Sequence, residues 1–80
     1  MNIDLQVINN INNYIISNNI SLPKLAKEAN LPYHNLWAIL NQYSSIKLGD
    51  YVSICRALNE PIDFFIPKEW EITEYKEEGR

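Results

Sequence analysis

Residues 21–42 read SLPKLAKEANLPYHNLWAILNQ, two apolar-periodic runs joined by Asn30, Leu31 and Pro32. Leu25, Ala26 and Ala29 lie at i, i+1 and i+4, and Leu36, Ile39 and Leu40 at i, i+3 and i+4. Each run therefore presents one apolar face to a shared core, and the stretch predicts two short helices. Asn30 stands where a tight turn needs positive φ, which Asn tolerates better than other non-Gly residues. Pro32 restarts the chain, its fixed φ suiting a first helical turn where its missing N–H costs nothing. Ala26 is small enough for the two helices to cross closely.

Working outward, Leu5, Ile8, Ile11 and Ile15, with Val7 and Ile16 beside them, recur at helical spacing and predict a first helix over 3–17, capped by Asn2. Asn18 and Asn19 end it. Ser21 caps the second helix with Pro23 in its first turn, and Ile20 and Leu25 occupy the two positions of a hydrophobic staple. Residues 41–46 read as a polar loop. A fourth helix over 47–59 carries the stripe Leu48, Tyr51, Cys55 and Leu58, with Ile54 alongside, and Pro61 stops it. A last helical turn through Ile62, Phe64, Phe65 and Ile66 is expected to close the core with aromatic bulk.

On these residues the chain from about Ile8 to Ile66 resembles the Cro and phage-repressor (XRE-like) helix-turn-helix family. Leu25, Ala26, Ala29, Leu31, Leu36 and Ile39 stand at that family's framework positions, Ala26 at its small-residue position. Asn30 replaces the usual turn Gly, and Pro32 the usual Ser or Thr cap. Leu48, Tyr51, Ile54, Ala57 and Leu58 match its fourth helix, and residues 61–65 its short final one. The resemblance implies an all-α, lambda-repressor-like bundle of about five helices and a DNA-binding transcriptional regulator, a phage or bacterial repressor.

Eighty residues support one domain, and a domain this small buries only about 60% of its unfolded surface. Residues 1–66 form the helix-turn-helix domain and residues 67–80 a tail. No apolar run approaches the roughly 20 residues a membrane span needs, and no secretory signal is visible, so a cytoplasmic protein is expected. Cys55 is the sole cysteine and reads as a buried core residue. One Cys and one His build no metal site, and with no glycine-rich phosphate loop and no acid pair sharing a cleft, neither an enzyme nor a cofactor is expected.

The tail carries five acids and three bases around Trp70, Ile72 and Tyr75. Its alternation over residues 70–75 suits a short β-strand. With no second strand in the chain, that segment pairs with its copy in a homodimer, packs on its own domain, or stays disordered. In the first case Trp70, Ile72 and Tyr75 form the dimer interface, an arrangement some Cro-type proteins use.

In a helix-turn-helix the second helix of the unit enters the major groove and its N-terminal residues meet base edges. With Leu36, Ile39 and Leu40 turned inward, Tyr33, His34, Asn35, Trp37, Ala38 and Asn41 are the base-reading candidates, and Gln42 lies at the margin. Asn pairs with adenine in bidentate fashion, and Ala or an aromatic edge touches a thymine methyl. Ser21, Lys24, Lys27, Tyr43, Ser44, Ser45 and Lys47 are the candidates for the phosphate backbone. Against this stands the charge. Residues 1–66 hold Lys24, Lys27, Lys47 and Arg56 against Asp4, Glu28, Asp50, Glu60 and Asp63, and the whole chain sums to −3. Phosphate neutralisation drives much of DNA affinity, and residues 33–42 hold neither Lys nor Arg. The other reading is a scaffold turned to protein binding, an antirepressor or inhibitor, with Trp37 and Tyr33 as anchors.

Overall fold

The computed structural model describes residues 3–67. They form four helices, α1 (Ile3–Ser17), α2 (Leu22–Ala29), α3 (Tyr33–Leu40) and α4 (Leu48–Leu58). Among the described residues there is no strand, and the class is all-α. The Asn2 cap and the strand expected over residues 70–75, with Trp70, Ile72 and Tyr75, lie outside the described residues.

The four helices share one core. Val7, Ile11 and Ile15 of α1 meet Leu25 and Ala26 of α2, Leu36 and Leu40 of α3, Tyr51, Ile54 and Cys55 of α4, and Phe65. Helix α2 packs against both α3 and α4, while α1 packs against α3. The small Ala26, 2% exposed, sits in this core at the junction and permits close approach. Leu5 and Ile16 follow the α1 periodicity but face outward, at 40% and 74% exposure. They flank a stripe already complete with Val7, Ile8, Ile11 and Ile15.

Every helix ends with the same device. A residue in the left-handed region donates its N–H three residues back, and its successor donates five residues back: Asn19 to Ile16 and Ile20 to Ile15, Asn30 to Lys27 and Leu31 to Ala26, Gln42 to Ile39 and Tyr43 to Ala38, Asn59 to Arg56 and Glu60 to Cys55. These are Schellman motifs, which satisfy carbonyls that the helix leaves without partners. The left-handed residues are Asn19 (φ 55), Asn30 (φ 60), Gln42 (φ 68) and Asn59 (φ 62). Asn suits that role. Gln42 does not, since its longer side chain lacks the local hydrogen bond that eases Asn into this region. Gln42→Gly is expected to stabilise the chain by about 1 kcal/mol, read as a raised urea midpoint at unchanged slope.

The start of α2 follows expectation: the Ser21 Oγ accepts the Lys24 N–H at 3.4 Å, and Ile20 and Leu25 both join the core. Pro32 takes the N-cap position of α3 (φ −59, ψ 142), the place the resemblance gives it, and not a place in the first turn. Helix α3 stops at Leu40, so Asn41 and Gln42 open the polar loop expected over residues 41–46. Its end is tied to α1, because Asn12 Nδ2 donates to the Leu40 carbonyl at 2.9 Å.

The closure departs from expectation: a fifth helix is replaced by two successive turns, Phe64 N–H to Pro61 O at 3.0 Å and Ile66 N–H to Asp63 O at 3.3 Å. Only five residues separate Pro61 from Pro67, too few to recover the cost of helix nucleation, and Pro67 turns Ile66 away from helical geometry. Phe65 alone is fully buried there, whereas Ile62 and Phe64 are exposed. The closure is held by Asn10 Nδ2 donating to Phe65 O at 2.8 Å and by the Tyr51 hydroxyl donating to Ile62 O. Likewise Leu48, placed by periodicity on the α4 stripe, is 78% exposed, because at the first residue of α4 it projects past the core.

Candidate nucleic-acid interface

Helix α3 has two faces of opposite character. Leu36, Ile39 and Leu40 are buried, with Leu36 at 0%, while Tyr33, His34, Asn35 and Trp37 are exposed and Ala38 is half-buried. The outward residues cluster in the first turn and a half. There the leading N–H groups have no partner inside the helix and the dipole's positive end favours anions. Pro32 at the cap supplies no side-chain acceptor to occupy those groups.

Asn41 is placed differently from the others. It lies beyond the last helical residue, and its Nδ2 donates to the Trp37 carbonyl at 2.9 Å. One of its two amide N–H groups is thus engaged in capping α3, which leaves the other and the carbonyl oxygen for an outside partner. Immediately after it, Gln42 in the left-handed region folds the loop back, so that Tyr43 and Ser44 both donate N–H to Ala38 O, at 2.8 and 3.3 Å.

That reversal sets the Tyr43 ring over the Trp37 indole, with centroids 5.5 Å apart and planes 11° from parallel. Both rings are exposed. A base-reading candidate and a backbone candidate are therefore one aromatic platform, with Tyr33 one turn away on the same side of α3. Spacing along the chain does not reveal the pair, because the loop path depends on a Gln adopting an Asn-like conformation.

The remaining backbone candidates divide. Ser21, whose side chain caps α2, and Lys24 line a groove of about 430 Å³ together with Tyr14, Glu28, Ala57 and Leu58. Lys24 and Glu28 are i and i+4 on α2, so an acid shares the lysine's face. Lys27 lies in the last turn of α2, exposed. Ser44 and Ser45 lie beside Tyr43 in a shallow depression reached by Gln42 and Ile39. Lys47 is the exposed N-cap residue of α4 and offers no side-chain cap.

Between residues 29 and 49 the only formally charged side chain is Lys47, but in space Asp4 of α1 lines the same depression as Tyr43, Ser44 and Ser45. Asp50 lies in the first turn of α4, and Glu60 and Asp63 flank the closing turns. Glu60 accepts a hydrogen bond from the Tyr14 hydroxyl at 2.7 Å, and that bond to a carboxylate, reinforced by burial, raises the Tyr14 phenol above its ordinary value. Burial chiefly raises the Cys55 thiol as well, which keeps it protonated and unreactive. Among the described residues no three of His, Cys, Asp and Glu gather as metal ligands, and no helix is long and apolar enough to cross a membrane. Comparison with family models, with curated proteins and with solved structures returns no match for this chain.

Proposed function

We propose that the chain is a sequence-specific DNA-binding regulator of the Cro and phage-repressor kind, with α2 and α3 as its helix-turn-helix and α3 in the major groove. The observation that carries this reading is the divided α3. Its inner face is locked into the core, while Tyr33, His34, Asn35 and Trp37 stand exposed on a helix that itself carries no acid. Net charge acts at long range and is screened beyond about 8–10 Å, so the absence of acids on α3 itself matters more than the total of −3. His34 and Asn35 supply hydrogen bonds to base edges, and the aromatic platform supplies apolar contact to thymine methyls. Lys27 and Lys47 supply phosphate contacts, with Lys24 beside them in a more neutral setting.

Three lysines per chain give a weak monomer. A homodimer doubles the phosphate contacts and sets two copies of α3 about 34 Å apart on a palindrome, acting as a phage or bacterial repressor in the cytoplasm. Anisotropy titration of a fluorescent A·T-rich duplex pool against salt tests both points. The slope of log K against log salt is expected near −3 for one chain and near −5 for two, with light scattering giving the mass. A slope of zero, or no binding at low salt, overturns the proposal.

The stacked Trp37 and Tyr43 rings favour a second reading, in which the same face docks an antirepressor-type protein partner, since exposed aromatic anchors are enriched at interfaces. A partner retained by pull-down after DNase treatment, together with a flat salt response, selects it.

A further inference from the structure

The loop after α3 is tied to the helix it leaves. The Trp37 carbonyl accepts the Asn41 N–H at 3.0 Å and the Asn41 Nδ2 at 2.9 Å, and the Ala38 carbonyl accepts the N–H groups of Tyr43 and Ser44. Gln42, at φ 68, makes the reversal between them. The backbone N–H groups of Tyr43 and Ser44 are therefore engaged, and neither serves the helix-like anion contacts by which a backbone holds a phosphate. Asp4 lines the depression beside Tyr43, Ser44 and Ser45, and a carboxylate there opposes a phosphate. What Tyr43 offers is its ring, laid parallel to the Trp37 indole.

We propose that Tyr43 is a positioning residue of the α3 face, acting on a DNA duplex through Trp37, whose indole it holds ready for a base edge, and not through a phosphate. This rests on α3 being the reading helix. An indole 43% exposed on a helix has rotamer freedom to lose, and a side chain immobilised only when the partner arrives weakens binding by that entropy. A stacked ring removes the freedom beforehand. Tyr43 is able to do so because its own backbone is anchored to Ala38. At 76% exposure its ring is no part of the core, so its truncation is expected to leave the urea midpoint nearly unchanged. The hydroxyl has no role in holding the indole, which separates this assignment from a phosphate contact made by the phenol.

Anisotropy titration of the A·T-rich duplex pool with the full chain tests it. Tyr43→Ala is expected to weaken binding roughly two- to tenfold, the effect of ordering one large side chain on binding. Tyr43→Phe keeps the stack and is expected to bind like the parent. In a chain already carrying Trp37→Ala, Tyr43→Ala is expected to add no further loss. A Tyr43→Phe chain as weak as Tyr43→Ala gives the hydroxyl a contact of its own and overturns the proposal, as do losses that add across the two positions. A Tyr43→Ala chain that binds like the parent overturns it and leaves α3 as the reader, whereas a parent that binds no duplex overturns the underlying reading as well. The stack is followed apart from DNA in chains carrying Trp70→Phe, where Trp37 is the only tryptophan. The fast part of its fluorescence anisotropy decay is expected to grow on Tyr43→Ala and not on Tyr43→Phe. A decay indifferent to Tyr43→Ala means that the ring does not hold the indole, and overturns the proposal even where affinity falls.

Discussion

Phe65→Ala is expected to cost about 3–5 kcal/mol, most of what the weakest single domains possess, whose stability begins near 5 kcal/mol. Phe65 is 2% exposed, its ring meets Tyr14 edge-on at 5.4 Å and Phe64 at 5.0 Å, and its carbonyl is held from α1 by Asn10. Removing the ring leaves a cavity beneath two aromatic neighbours that α1 and α4 cannot close without moving. Phe64 has the same chemistry but is 49% exposed, and Phe64→Ala is expected to cost about 1 kcal/mol, the worth of its edge contacts. Urea unfolding of the pair checks the contrast. Equal losses would mean that the closing turns carry the burial jointly, contrary to the geometry.

The same two residues mark the limit of what can be read from the chain alone. Residues 62–66 are legible as an aromatic closure, but which Phe is buried depends on whether the segment is helical, and the two prolines decide that against a helix. Helix positions were legible where a local signal coincided with periodicity. Asn19 and Asn30 announce left-handed ends, Ser21 announces a cap, and the apolar spacing of α1 gives its bounds of Ile3 and Ser17, whereas α4, expected over 47–59, ends at Leu58 with Asn59 as its left-handed cap.

Where the deciding term is tertiary, the signal fails. Leu48 continues the α4 stripe in periodicity yet lies outside the core, because periodicity gives direction from the helix axis and not whether a neighbour is there. Gln42 carries no local reason to be left-handed, so neither the reversal after α3 nor the Trp37–Tyr43 stack could be anticipated. For the candidate interface, the outward set on α3 was legible from its inward complement. The capture of Asn41 by the Trp37 carbonyl was not, since it depends on where α3 stops.

Leu36→Ala and Trp37→Ala, adjacent in sequence, are expected to fail in opposite ways. Leu36 is fully buried among all four helices' core residues, so its truncation is expected to cost about 2–5 kcal/mol. Any loss of duplex affinity in that variant should follow the unfolded fraction and recover when conditions favour folding. Trp37 lies on the exposed side, where truncation forfeits the stack on Tyr43, worth about 0.5–1.5 kcal/mol. Its fold should persist, yet duplex affinity is expected to fall by about tenfold or more, since loss of a stacked indole at an interface costs at least 1.4 kcal/mol when it is a binding anchor. Urea midpoints and anisotropy titrations on the same samples separate the two. A Trp37→Ala variant that binds duplex as tightly as the parent places the contact surface elsewhere, whatever Leu36→Ala does. A Leu36→Ala variant that loses affinity while remaining folded shows instead that the groove reads the exact pitch of α3. That too requires α3 to be the reading element, so the decisive measurement is on the indole.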